Sequence, residues 1–223
     1  MVETNGRNFD LLTLGQVLLR LSPPDNERLS RGDTFVKQVG GAELNVAVGA
    51  ALLGLHTGVI SKLPAHDIGS FMKGKIRSFG VSDDFFMYDQ SPAARVGIYY
   101  YENGAYPRKP KVIYDRNHSS FFSLDIDEIP EEVYTASKCF HTTGITLALN
   151  EDIRETTIEM IKRFKAAGTL VSFDVNFRGN LWTGDQAREC ILRILPYVDI
   201  FFCSEDTARL TFLKTGTARE MMK

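Results

Sequence analysis

The sequence predicts an α/β fold: a mainly parallel sheet with helices on both faces, a small β lid, and the C-terminal part of the fold missing. Three observations carry this. From residue 127 onward (DEIPEEVYTAS), helical and extended patterns alternate as far as the sequence runs, the rhythm that brings strands parallel. The opening run 9–22 (FDLLTLGQVLLRLS) is largely apolar, as expected of a strand covered on both faces. Between them, residues 94–116 are rich in β-branched and aromatic side chains about a polar turn, and read as a pair of strands.

Taken in order, residues 9–22 form the first strand, and SPPDNERLSRGD, with two prolines, is a turn-rich connection. Residues 34–39 are extended and run into Gly40 and Gly41. A helix follows over 42–55, closing at Gly54, and then a strand over 56–63. Residues 67–80 are an amphipathic helix that ends on Gly80. In the second half, strands at 138–145, 169–177 and 199–204 alternate with helices at 151–168, 185–198 and 205–216. A helical pattern is still running at Lys223, so the chain is expected to be one incomplete α/β domain, with lid segments at 34–39 and 94–116.

Composition excludes several classes. The chain of 223 residues is 43% hydrophobic and 24% charged, as in an ordinary soluble globular protein. A formal net charge of −2 leaves no electrostatic footprint for nucleic acid or an anionic membrane. No apolar run is long enough to span a bilayer, and the N-terminus lacks the features of a signal peptide. Cys139, Cys190 and Cys203 form no CxxC pair, which reads as reduced thiols in a cytoplasmic protein. The stretch 69–76 (GSFMKGKI) fits the start of a phosphate-binding loop, but Ile76 stands where a hydroxyl is needed, and the segment lies inside a helical run. The four histidines lack metal-ligand spacing, and no metal site is predicted.

Three constellations could carry chemistry. Gly40 and Gly41 stand directly before a helix, with Ala42, Glu43 and Asn45 in its first turn. They make either a plain tight turn or a backbone-lined site for hydroxyl or carboxylate oxygens at the positive end of the helix. Tyr114 and Arg116 are two residues apart and share a face of a strand, either solvated or offering a planar fork and a hydroxyl to a carboxylate. Asp174, Asn176 and Arg178, also spaced by two, end a strand where ligands of open α/β sheets bind, unless they merely cap the next helix.

In this order, GGAELNVA, VIYDR and FDVNFRGNLW, with LLRLSPPD near the start, resemble the ribokinase-like (PfkB) carbohydrate kinases, and among them the 2-keto-3-deoxygluconate kinases. The resemblance implies ATP-dependent phosphorylation of that sugar acid at its terminal hydroxyl, with Mg²⁺. It implies that Gly40, Gly41, Ala42, Glu43 and Asn45 hold sugar hydroxyls and that Tyr99 packs on the substrate. Tyr114 and Arg116 would reach the carboxylate from the lid. Arg178 would contact substrate and transferring phosphate as the catalytic charge, with Asn176 and Ser204 on the nucleotide side. Lids of this kind close over substrate and mediate dimerisation, so a homodimer or higher homo-oligomer is expected. Two departures stand out. Gln16 replaces the family's Glu, and residues 204–207 (SEDT) do not match its metal-associated NxxE. The GAGD segment that carries the catalytic Asp is absent, so the chain as given is expected not to turn over. The alternatives are a kinase for another sugar, such as fructose or a ribonucleoside, and a non-catalytic sugar-acid binding protein.

Overall fold

A computed structural model describes residues 7–221; the extreme N-terminus and the last two residues, on which the leader and truncation readings partly rest, lie outside them. The chain runs β1 (Phe9–Leu14), β2 (Leu18–Ser22), β3 (Val36–Gly40), α1 (Ala42–Leu52), β4 (Thr57–Pro64), α2 (Asp67–Arg77), β5 (Val81–Ser82), β6 (Phe86–Asp89), β7 (Gly97–Glu102) and β8 (Lys111–Asp115). Short 3₁₀ turns over 120–135 lead to β9 (Ser137–Thr143), α3 (Gly144–Leu147), α4 (Glu151–Ala166), β10 (Leu170–Asp174), α5 (Gly184–Ile194), β11 (Ile200–Phe202), α6 (Glu205–Phe212) and α7 (Ala218–Met221).

The main sheet has the order β11-β10-β9-β1-β4-β5, with β6 also on β4, and every pairing is parallel. From β1 the chain crosses through α1 to β4 on one side; from β9 it crosses through α4 to β10 on the other. Right-handed crossovers in opposite directions put the two sets of helices on opposite faces. The buried clusters agree. Leu12, Leu14, Ile60, Phe140 and Phe173 pack with residues of α4 and α5, whereas Val59 and Leu63 pack with Leu44 of α1 and Met72 and Ile76 of α2. The direction reverses between β1 and β9, which is where open α/β sheets form a crevice at their carboxyl ends.

The long apolar run is not one strand. It breaks at residues 15–17: β1 stays in the main sheet, while β2 enters a separate four-stranded sheet of order β3-β2-β7-β8. Gly15 marks the exit. Its carbonyl accepts from Ser61 Oγ at 2.9 Å, and a side chain there would collide with the Glu43 carboxyl. The lid therefore has a strand beyond the expected 34–39 and 94–116 segments. β10 is also shorter than the expected 169–177. It stops at Asp174, whose Oδ1 accepts from the Asn176 N–H at 3.0 Å, and Asn176 turns left-handed with φ 39°. The 67–80 helix holds, so residues 69–76 are helical and no phosphate loop exists there.

Candidate functional site

At the crevice between β1 and β9, the lid sheet overhangs the main sheet and encloses a cleft of about 400 Å³. The body contributes Gln16, the α1 entrance with Gly41, Ala42, Glu43 and Asn45, and Ile145 and Arg178. The lid contributes Leu18, Arg20, Tyr99, Tyr101, Val112, Tyr114 and Arg116. Strand register explains the lid's share. Arg20 of β2 lies opposite Tyr99 of β7, which lies opposite Tyr114 of β8, so one row across the sheet presents a guanidinium and two phenols. The two rings lie 5.9 Å apart. Burial pushes the Tyr99 phenol above its ordinary pKa, although Arg20 pulls the other way, so it stays a neutral donor.

The glycine pair splits into two jobs. Gly41 is the N-cap of α1 with φ 146°, and a Cβ there would lie 2.7 Å from the Gln16 carbonyl oxygen. It has no side chain to cap the helix, so the first amides of α1 remain available at its positive end. Gly40 is a strand residue paired with Leu18; it is buried and does not line the cleft, and its missing side chain leaves room for the Tyr99 hydroxyl. Asn45 is exposed on the cleft wall, and among the described residues its side chain has no hydrogen-bond partner.

Glu43 borders the cleft but is turned into the body, 2% exposed, with Oε1 accepting from Thr143 Oγ1 at 2.6 Å and Thr146 Oγ1 at 2.8 Å. Burial raises its pKa against the pull of those hydroxyls and of Arg116. It joins α1 to β9 and α3.

Among the described residues none of Arg20, Arg116 and Arg178 has a carboxylate within ion-pair distance, so the cleft holds three guanidinium groups without a direct ion-pair partner. Arg116 follows β8, with its guanidinium carbon 5.7 Å from the Tyr114 ring centre and its Nε on Gln16 Oε1 at 2.8 Å. Burial lowers its pKa, and Glu43 opposes that. Arg178 is exposed and, among the described residues, donates only to the neighbouring Phe177 carbonyl, at 3.0 Å. Arg20 lies 4.3 Å above the Tyr101 ring and bonds Ser22 Oγ at 2.9 Å. Such a cleft suits a small, polyhydroxylated anion.

The expected nucleotide-side residues are not gathered here. Asn176, in its left-handed turn, does not line the cleft, and the Ser204 hydroxyl caps α6, accepting from Thr207 N and donating to Thr207 Oγ1. Glu205 and Asp206 face Arg209, and among the described residues no group of three His, Cys, Asp or Glu side chains could hold a metal ion. The described residues therefore offer no all-protein cage for Mg²⁺, an ion that is ordinarily held by one or two carboxylates together with substrate phosphates. Gln16, Leu18, Arg20, Tyr101, Val112 and Ile145 were not singled out for the site from sequence. The alternation Leu18-x-Arg20 and Tyr99-x-Tyr101 is their signal, readable once the opening run is divided at Gly15.

Comparison with known proteins gives a consistent result. Residues 8–223 match the family described as pfkB family carbohydrate kinase. A 2-dehydro-3-deoxygalactonokinase of Haloferax volcanii is 36% identical over 209 residues, covering 94% of this chain and 65% of that protein. A 2-dehydro-3-deoxygluconokinase of Bacillus subtilis is 31% identical over 80% of this chain and 54% of its own length. The crystal structure of 2-dehydro-3-deoxygluconokinase from Thermotoga maritima superposes with a TM-score of 0.87 at 33% identity, over 93% of this chain and 63% of that one. The chain thus spans between about half and two thirds of the length of these relatives. Among its described residues no helix is long and apolar enough to cross a membrane.

Proposed function

The chain belongs to the pfkB family of carbohydrate kinases, and from that premise we propose that its cleft binds 2-keto-3-deoxygluconate for phosphorylation by ATP at the terminal hydroxyl, giving the 6-phosphate. The observation that carries this reading is the convergence of Gly41, Tyr114, Arg116 and Arg178 on one cleft in which Glu43, the one carboxyl among the described lining residues, is buried and engaged.

In this reading the carboxylate of the sugar acid takes the outer edge of Arg116, where a planar fork meets a planar anion. Tyr99 and Tyr114 flank the carbon chain and donate to its oxygens. The free amides at the start of α1 and the Asn45 side chain hold the hydroxyls. The far end of the sugar then lies toward Arg178, whose charge is placed to stabilise a phosphoryl group in transfer. The lid keeps water from the transferring group. Lid strand β8 is exposed along its length at a sheet edge, and we assign it to a homodimer contact. The setting proposed is cytoplasmic, in keeping with three free cysteines.

The chain contains no Gly-Ala-Gly-Asp sequence, the segment to which the family resemblance assigns the catalytic base. By itself it is therefore proposed to bind the sugar acid without turnover. Calorimetric titration with 2-keto-3-deoxygluconate and with fructose, beside a coupled ADP assay, tests both parts. Binding of the acid in preference to fructose, with no ADP formed, is expected. Equal binding of the two would favour the neutral-sugar kinases, and brisk ADP release would overturn the assignment of the base. Preference for the galactonate epimer would move the substrate to the one named in the 36% identical relative.

A further inference from the structure

We propose that Gln16 is the positioning residue that aims Arg116 at the ligand's acid group; this rests on the sugar-acid reading of the cleft. Gln16 is 4% exposed and sits at the break between β1 and β2, where the chain passes from the main sheet to the lid. Its Oε1 accepts from Arg116 Nε at 2.8 Å. Its Nε2 donates to the Arg116 carbonyl at 3.2 Å and to Ser119 Oγ at 2.6 Å. The whole amide is thus committed to one short segment that lies 100 residues away in sequence. The amide orientation is chemically forced: Arg116 has only donors, so an oxygen must face Nε.

A guanidinium is planar, and fixing Nε fixes the plane and the direction of the two terminal nitrogens. Among the described residues those nitrogens have no partner, and Arg116 lines the cleft. The clamp is also neutral, so it orients the cation without compensating its charge. A carboxylate ligand then meets a guanidinium whose ordering cost was met in folding. Gly97 keeps the route open. A Cβ there would lie 2.7 Å from Gln16 Nε2 and 3.4 Å from the Arg116 Cα.

The test is a double-mutant cycle on the full chain, with Q16L, R116A and the pair titrated with 2-keto-3-deoxygluconate. Leucine keeps the bulk of the side chain and removes its hydrogen bonds. Q16L is expected to weaken binding by about tenfold and to add nothing in the R116A background. In the ligand-free protein, the Arg116 Nε–H resonance should be resolved and protected in the wild type and lost in Q16L. Gly97→Ala, which crowds the amide together with Leu18, should weaken binding in the same way. Wild-type affinity in Q16L, full additivity with R116A, or an unchanged Nε–H signal would each overturn the proposal. Wild-type affinity in R116A would instead remove the sugar-acid reading, and the Nε–H signal would still judge the clamp.

Discussion

The two arginine ends of the cleft are built differently. Arg116 is half-buried, clamped at Nε by Gln16 and set beside the Tyr114 ring. Arg178 stands exposed on the loop after β10, with only the adjacent Phe177 carbonyl to hold it. Ordering a long side chain on binding costs about 0.5–1.5 kcal/mol, and the Arg116 end has met that cost in the folded state while the Arg178 end has not. Under the proposed reading, affinity and specificity then belong to the lid end. The body end is loose, and in the same reading it supplies a charge needed only when phosphate arrives.

Arg116→Ala should therefore have the largest effect. Loss of a charged, preorganised hydrogen-bonding group costs about 2 kcal/mol, or roughly a thirtyfold rise in Kd for the sugar acid by calorimetry. Arg20→Ala comes next. Arg20 is steadied by the Tyr101 ring and Ser22 but lacks an amide clamp, so a loss of about 1 kcal/mol, near fivefold, is expected in the same titration. Arg178→Ala should change sugar-acid affinity by about threefold or less, because its exposed side chain gives back in ordering cost much of what it gains. An Arg178 effect as large as that of Arg116 would break the comparison.

The smallest effect concerns Glu43, and its sign follows from burial. The folded-state pKa is raised, so below the ordinary carboxyl value of about 4.3 both states hold the proton and folding meets no penalty. As pH rises through the raised value, a buried carboxyl must ionise and stability falls. Glu43→Gln keeps an acceptor for Thr143 and Thr146 but cannot ionise. Its melting temperature should match the wild type near pH 4 and exceed it at pH 8; a lower value at pH 8 would show that the negative charge is needed beside Arg116.

Much of this was legible in the sequence because the decisive features are local. Gly41, Glu43 and Asn45 lie within the opening of one helix, and Tyr114 and Arg116 within one strand and its exit. What escaped depends on breaks that periodicity does not mark. The run through β1 and β2 is apolar on both sides of Gly15, because β1 is buried in the main sheet and the root of β2 is buried against α1 and α2. The departure of the chain into the lid is therefore marked only by Gln16 and Arg20, which an apolar run of this length absorbs as isolated polar positions of one strand. Asn176 leaves the strand for the opposite reason. A side-chain bond from Asp174 to its backbone N–H ends the strand early and turns it away. Ser204 is assigned to the nucleotide side by the family resemblance alone, and its own sequence context, Ser-Glu-Asp-Thr before a helix, reads as the cap it makes.

A crystal structure of the chain soaked in 2-keto-3-deoxygluconate tests the account most directly. The carboxylate of the sugar acid should lie in the cleft, both oxygens within hydrogen-bond distance of the terminal nitrogens of Arg116, with Gln16 still on Nε. A ligand seated in the cleft with its carboxylate at Arg178, or seated outside the cleft, would contradict it.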